Sequence, residues 1–253
     1  MERIEYILNK LDETGFLNVN NLANELNVSS ATIRRDFTEL EQQGKLKRVP
    51  GGAIKTTDNN ILSIDSDLAM NLKVLLHHTE KKLVCELACS KVHDGDCIFI
   101  DAGTSSIDMF KLLQDRYVTI VTNNIMFASQ ITPPIRARII IIGGLYMADY
   151  ALTYSASAYD QIQNYNFNHC FITCAGVDIE NGEAYCTETE TRNLKRLIIK
   201  KSKFKHLLID SSKIDTLGFC TLDSLNSFDT IFCDKKKEGT EDIEYPSNFQ
   251  FAQ

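Results

Sequence analysis

Six short runs in the second half of the chain are apolar at almost every position: "CIFID" (97–101), "VTIVT" (118–122), "RIIIIGG" (138–144), "CFITCAG" (170–176), "HLLID" (206–210) and "TIFCD" (230–234). A strand with one wet face alternates apolar and polar residues, so continuously apolar strands are buried on both faces. Helix-like stretches fall between most of these runs, around 105–114, 124–131, 157–164 and 190–203. Two more, at about 67–78 and 80–93, precede the first run. Strands alternating with helices predict an α/β fold, a mainly parallel sheet covered by helices. Loops at the carboxyl ends of such strands are where ligands gather.

The first fifty-five residues follow another pattern. Ile4, Ile7, Leu8 and Leu11 share one helical face that ends near Gly15. Asn20 is expected to cap a second short helix carrying Leu22, Ala23 and Leu26 on one side, and "NVSS" (27–30) to turn the chain. Ser29 then caps a third helix that Gly44 ends. At ~100° per residue, Ile33, Phe37 and Leu40 of this helix form its buried face. Ala31, Arg35, Thr38 and Gln42 lie opposite, with Thr32 and Arg34 flanking. "KLKRVPGGAIK" (45–55) reads as two extended pieces joined at Pro-Gly-Gly, a small β-wing. The expected organisation is therefore a helical module at 1–57, a polar linker at 58–66 and the α/β domain at 67–253.

Charge supports the division. The chain carries a net charge of -7, yet residues 1–55 hold eight basic and eight acidic residues. Within 43–57 stand Lys45, Lys47, Arg48 and Lys55 and no acid. A helix presenting small residues and two arginines, next to a basic hairpin, suits the DNA major groove and its phosphates. The alternative is a solvated face with incidental arginines; the turn, cap, core spacing and hairpin together favour DNA. No apolar stretch approaches the ~18 residues of a spanning helix. The N-terminal "MERIEYILNK" mixes charges with apolar residues, unlike a signal peptide, so a cytoplasmic protein is expected. Eight cysteines, with pairs at 85/89 and 170/174, are read as reduced core residues, and His77, His78, His93, His169 and His206 form no triad or metal spacing.

"FIDAGTSS" (99–106) places a small-residue loop between a strand and a helix. Gly103 permits close backbone approach, while Thr104, Ser105 and the helix start offer donors to an anion. "VTNN" (121–124), "IIGG" (141–144) and "DSSK" (210–213) add polar or glycine positions past other strand ends. Their convergence points to a sugar phosphate.

"LANELNVSSATIRRDFTELEQQGKLKRVPGGA" resembles the winged helix-turn-helix of the DeoR family of bacterial transcriptional regulators, whose recognition helix contains "TIRRDL" before a wing ending in "GGA". The resemblance implies that Ser30, Thr32, Arg34 and Arg35 face double-stranded operator DNA, with Lys47 and Arg48 on the adjacent backbone. Pro50 stands where the family usually has histidine, and Phe37 replaces a leucine. The family's sensor pattern follows in order: "D-x-G-T-T" at Asp101 to Ser105, "VTN" at Val121 to Asn123, "GG" at Gly143 and Gly144, and "SSK" at Ser211 to Lys213. That domain is similar to ribose-phosphate isomerases and glucosamine-phosphate deaminases. A phosphorylated sugar effector is implied, contacted by Asp101, Gly103, Thr104, Ser105, Asn123 and Lys213. Ala175 and Thr191 depart from the family pattern, with Glu188 or Glu190 available near the latter.

The resemblance implies a sugar-operon regulator, in this family more often a repressor. It would be a homo-oligomer with no membrane contact, no metal and no cofactor beyond the effector. Two alternatives stay open. One is a sugar-phosphate isomerase or deaminase with an appended helical module and Asp178 as a candidate base. The other is an architectural DNA-binding protein whose α/β body only dimerises.

Overall fold

In the computed structural model, residues 2–14, 16–49, 52–55, 70–147, 150–239 and 243–252 are described. The expected linker at 58–66 and the wing-tip residue Pro50 lie outside them. Packing divides the chain into two compact units.

The first unit opens with α1 (Glu2–Thr14), β1 (Phe16–Asn18), α2 (Val19–Glu25) and α3 (Ser30–Gln42). β2 (Leu46–Val49) and β3 (Gly52–Lys55) follow, and α4 (Met70–Leu75) groups with them. Ile7, Leu11, Leu22, Ile33, Phe37 and Leu40 meet in one core, so the helical face predicted for α3 is the buried one. The cap of α2 is a correction: Asn18, not Asn20, accepts from the amides of Asn20 (2.9 Å) and Asn21 (3.2 Å). The helix begins at Val19, so Asn20 is already inside it. α3 stops at Gln42, and Gly44 takes a positive φ of 68°, a conformation open to glycine. β3 pairs with both β2 and β1, making a three-stranded antiparallel sheet. The strand β1 has no signal in the hydropathy pattern.

The second unit runs α5 (His78–Cys89), β4 (Cys97–Ile100), α6 (Asp108–Leu113), β5 (Thr119–Thr122) and β6 (Arg138–Ile141). β7 (Leu145–Met147), β8 (Leu152–Tyr154), α7 (Ala156–Gln163) and β9 (Phe167–Thr173) come next. After β10 (Gly176–Asp178) and β11 (Glu183–Cys186), α8 (Thr189–Lys201) leads directly into β12 (Ser202–Leu208). β13 (Cys220–Ser224), β14 (Thr230–Cys233) and β15 (Phe249–Phe251) complete it. Six of the predicted runs contribute strands, all parallel, to a seven-stranded sheet ordered β15-β14-β12-β9-β4-β5-β6. Phe99, Val121, Cys170, Ile172, Leu207 and Ile231 bury one face against Ala158, Ile162, Leu194 and Ile198 of α7 and α8. Neighbouring residues such as Ile98, Ile100 and Phe171 point the other way and are equally buried.

The helix predicted at 124–131 is another correction: only a 3₁₀ turn forms, at Met126–Ser129. Thr122 Oγ1 takes the Asn124 amide and Asn124 Oδ1 takes the Met126 amide, local bonds that compete with helix. β10, β11 and β13 form a separate antiparallel sheet that the pattern did not predict.

From β4 the chain steps outward through β5 to β6, then returns to β9 and steps the other way through β12 and β14 to β15. β4 and β9 are therefore adjacent while the connections after them diverge. Doubly wound sheets bind ligands at the carboxyl ends of strands at such a switch point.

Candidate functional site

In the first unit, Ser29 Oγ accepts the Thr32 amide at 3.1 Å and lies 2.8 Å from Thr32 Oγ1. This is the predicted N-cap. Ser30 donates to Asn20 Oδ1 at 3.0 Å, tying the start of α3 to α2. The hydroxyls of Ser30 and Thr32 are thus engaged in holding the turn. Arg34 and Arg35 are exposed on α3, and Lys47 is exposed on β2. Arg48 is exposed too but leans on α3: its Nη1 donates to Thr38 Oγ1 at 2.9 Å and lies 4.0 Å from Glu41. Its amide donates to Glu41 Oε1 at 2.7 Å, so the wing is fixed to the helix it flanks. Sequence reasoning missed Asp36, which is buried on α3 and accepts both Nε (2.7 Å) and Nη2 (3.0 Å) of Arg3. That bidentate pair sets α1 against α3.

In the second unit, the loop after β4 holds Asp101, Gly103, Thr104 and Ser105. Asp101 is buried, and its Oδ2 accepts the Thr173 amide (2.9 Å) and hydroxyl (2.7 Å) at the end of β9. Lys195 Nζ of α8 reaches the same oxygen at 2.7 Å and donates to Thr173 O at 2.8 Å. Asp101 thereby locks the two strand ends across the switch point. Gly103 fits only because it lacks a side chain: a Cβ there would lie 2.2 Å from Thr173 Oγ1.

Two further ammonium groups converge on the loop. Lys81 of α5 donates to Thr104 Oγ1 at 3.0 Å. Lys213, in the turn after β12, donates to Ser105 Oγ at 2.9 Å and to Cys174 O at 2.8 Å. Burial, and then the nearby charge of Lys213, lower the Lys81 pKa to about 8. At Lys195 burial also pulls down, but Asp101 outweighs it and the pKa is raised. Asp210 faces an opposing burial effect, yet Lys213 and the Ser212 hydroxyl hold its carboxyl below the usual range. At the end of β5, Asn123 is buried, and its Oδ1 has no hydrogen-bond partner among the described residues.

The structure thus brings Asp101, Gly103, Thr104, Ser105 and Lys213 together and places Asn123 one strand over. Lys81 and Lys195 were missed. A signal existed: Lys81 stands on the stripe formed by Val84, Cys85 and Ala88, and Lys195 on that of Ile198 and Ile199, all buried. A lysine on an apolar helical face is buried with its charge compensated or with a task.

Asp178 accepts the amide (2.8 Å) and side chain (2.7 Å) of Asn181. Those bonds lower its pKa, the wrong direction for a general base near neutrality. All eight cysteines are free thiols. His169 Nδ1 and His206 Nε2 lie 2.9 Å apart in the interior of the second unit. Among the described residues no cluster of His, Cys, Asp or Glu could hold a metal ion, and no helix is long and apolar enough to cross a membrane.

The profile of the DeoR-like helix-turn-helix domain matches residues 3–58, and that of the DeoR C terminal sensor domain matches residues 76–235. The chain is 28% identical to the L-fucose operon activator of Haemophilus influenzae, over 92% of this chain and 91% of that one. It is 30% identical to the lactose phosphotransferase system repressor of Staphylococcus epidermidis (95% and 96% covered). It is 29% identical to the transcriptional repressor GlcR of Bacillus subtilis (92% and 88% covered). Ribose 5-phosphate isomerase A of Methanocaldococcus jannaschii overlays with a TM-score of 0.39 at 14% identity, over 55% of each chain.

Proposed function

The chain belongs to the DeoR family of DNA-binding transcriptional regulators, and from that premise we propose that it controls a sugar-metabolism operon, as a repressor, under a phosphorylated sugar bound in the second unit. The observation that carries this reading is the meeting of Lys81 and Lys213 on the adjacent hydroxyls of Thr104 and Ser105. Two like charges held together beside a loop gain from a bound anion, which relieves their repulsion and accepts from both. A phosphate satisfies that chemistry. Asn123 supplies a buried acceptor for a sugar hydroxyl.

On the other unit, Arg34 and Arg35 read or grip the operator and Lys47 meets phosphate. A homo-oligomer sets paired recognition helices on operator repeats. The effector changes DNA binding only through its differential affinity for the two arrangements. The locked carboxylate of Asp178 argues against an isomerase at this site.

Thermal shift against paired sugars and sugar phosphates tests the reading. Stabilisation by one phosphate ester, not by its parent sugar, and its loss in Lys81→Met and Lys213→Met are expected. No response to any ester rejects sugar-phosphate control. On DNA upstream of its own gene, Arg34→Ala and Arg35→Ala should each cost ~1–3 kcal/mol of affinity. Unchanged binding in both rejects the recognition helix.

A further inference from the structure

We propose that Cys186 and Cys220 are an oxidisable dithiol that closes to an intramolecular disulfide and clamps the segment beginning at Lys213. The two cysteines are register partners on the antiparallel strands β11 and β13. Opposed Cα atoms on such strands lie ~4.5–5.5 Å apart, within the ~4.4–6.8 Å that a disulfide spans. Cys220 Sγ already lies 3.8 Å from the Cys186 carbonyl oxygen. None of the other six faces a cysteine across a strand pair: Cys97 pairs with Thr119, Cys170 with Phe99 and Lys205, and Cys233 with Phe251. Cys85 and Cys89 share one helix, and Cys174 follows β9.

The order of events follows from exposure. Cys220 is half-buried and Cys186 buried, and burial pushes the Cys186 thiol up to about 12. With hydrogen peroxide as oxidant, the Cys220 thiolate attacks one oxygen. An S–O bond forms, the O–O bond breaks, and the departing oxygen is protonated to water. Cys186 sulfur then attacks the Cys220 sulfenic acid. The S–S bond forms, the S–O bond breaks, and the hydroxyl leaves as water with the Cys186 proton. Two sulfurs lose two electrons, and one peroxide becomes two waters.

The segment between Lys213 and Cys220 runs along the small sheet. Ile214 bridges to Val177, and the Thr216 amide donates to Val177 O at 3.2 Å. Gly218 packs so closely that a Cβ would meet Tyr185 Cβ at 2.7 Å. Lys213 anchors one end on Ser105; a disulfide at Cys220 anchors the other. Any consequence for effector binding rests on the sensing reading above, whereas the thiol chemistry stands apart from it.

The test uses the reduced full-length protein, treated with hydrogen peroxide, alkylated and cleaved after acidic residues. That cleavage leaves Cys186 within 184–188 and Cys220 within 216–223, apart from Cys174 and Cys233. A linked pair of these peptides, lighter by two hydrogens and absent in Cys220→Ser and Cys186→Ala, is expected. Recovery of both as alkylated thiols, or a link from either to Cys174, overturns the assignment. In hydrogen exchange, amides of 214–219 should slow at least ~tenfold on oxidation; an unchanged rate overturns the clamp. No sugar phosphate enters these measurements, so they succeed or fail independently of the effector.

Discussion

Replacing Lys195 with methionine keeps a long, largely apolar side chain and removes the charge beside Asp101. Asp101, 2% exposed, then loses an ammonium that lay 2.7 Å from its Oδ2. Breaking a buried ion pair from one side costs ~3–5 kcal/mol. Asp101 keeps the amide and hydroxyl of Thr173, and bonds to a charged acceptor are worth ~1.5–3 kcal/mol each. The lower end, ~3 kcal/mol, is therefore expected. At ~2–4 °C per kcal/mol for a body of this size, the second unit should melt ~6–12 °C lower. Adding Asp101→Asn removes the stranded charge, so the double variant should be no less stable than Lys195→Met alone. Thermal and urea unfolding of wild type, both single variants and the double at pH 7 measure this. A single-variant loss under ~1 kcal/mol, or strict additivity in the double, would refute the idea that the pair locks β4 to β9.

Three more outcomes are expected. Because burial, and then Lys213, lower the Lys81 pKa to about 8 and a bound anion raises it, binding takes up a proton above pH 8. The Kd for a phosphate ester should then rise up to ~tenfold per pH unit beyond 8; calorimetry showing a flat profile, or the same slope in Lys81→Met, counts against it. Ser29→Ala removes the cap on the Thr32 amide and should cost ~0.5–2 kcal/mol of first-unit stability, read by circular dichroism on unfolding. Burial, and then His169, lower the His206 pKa to about 4. Below pH 6.5 the unfolded chain binds a proton that the folded chain refuses, so this contribution is intact above 6.5 and lost as pH falls toward 4. The urea midpoint of wild type should fall more steeply over that range than that of His206→Gln; equal slopes exclude the effect.

The main helices and the six central strands were legible along the chain, because helical and strand periodicities are local. Ile33, Phe37 and Leu40 gave the buried face of α3, Ser29 its cap, and six apolar runs the parallel sheet. The sequence by itself also marked the loop Asp101–Ser105 and Lys213 as a candidate site, and the structure brings those residues together. Local hydrogen bonds decided where it erred: Asn18 outcompeted Asn20 as a cap, and Thr122 and Asn124 turned a predicted helix into a 3₁₀ turn. Strands such as β1 and β10, three residues each, have too few residues to carry a period; pairing makes them strands. Long-range pairing alone placed β4 beside β9, some seventy residues apart in sequence, and so brought their loops together. The tertiary structure alone brought Lys81 and Lys195 from two helices to those loops, set Arg3 on Asp36, and faced Cys186 with Cys220. Such contacts are chosen by which apolar faces must be buried together, a condition on the whole chain that no window of neighbouring residues contains.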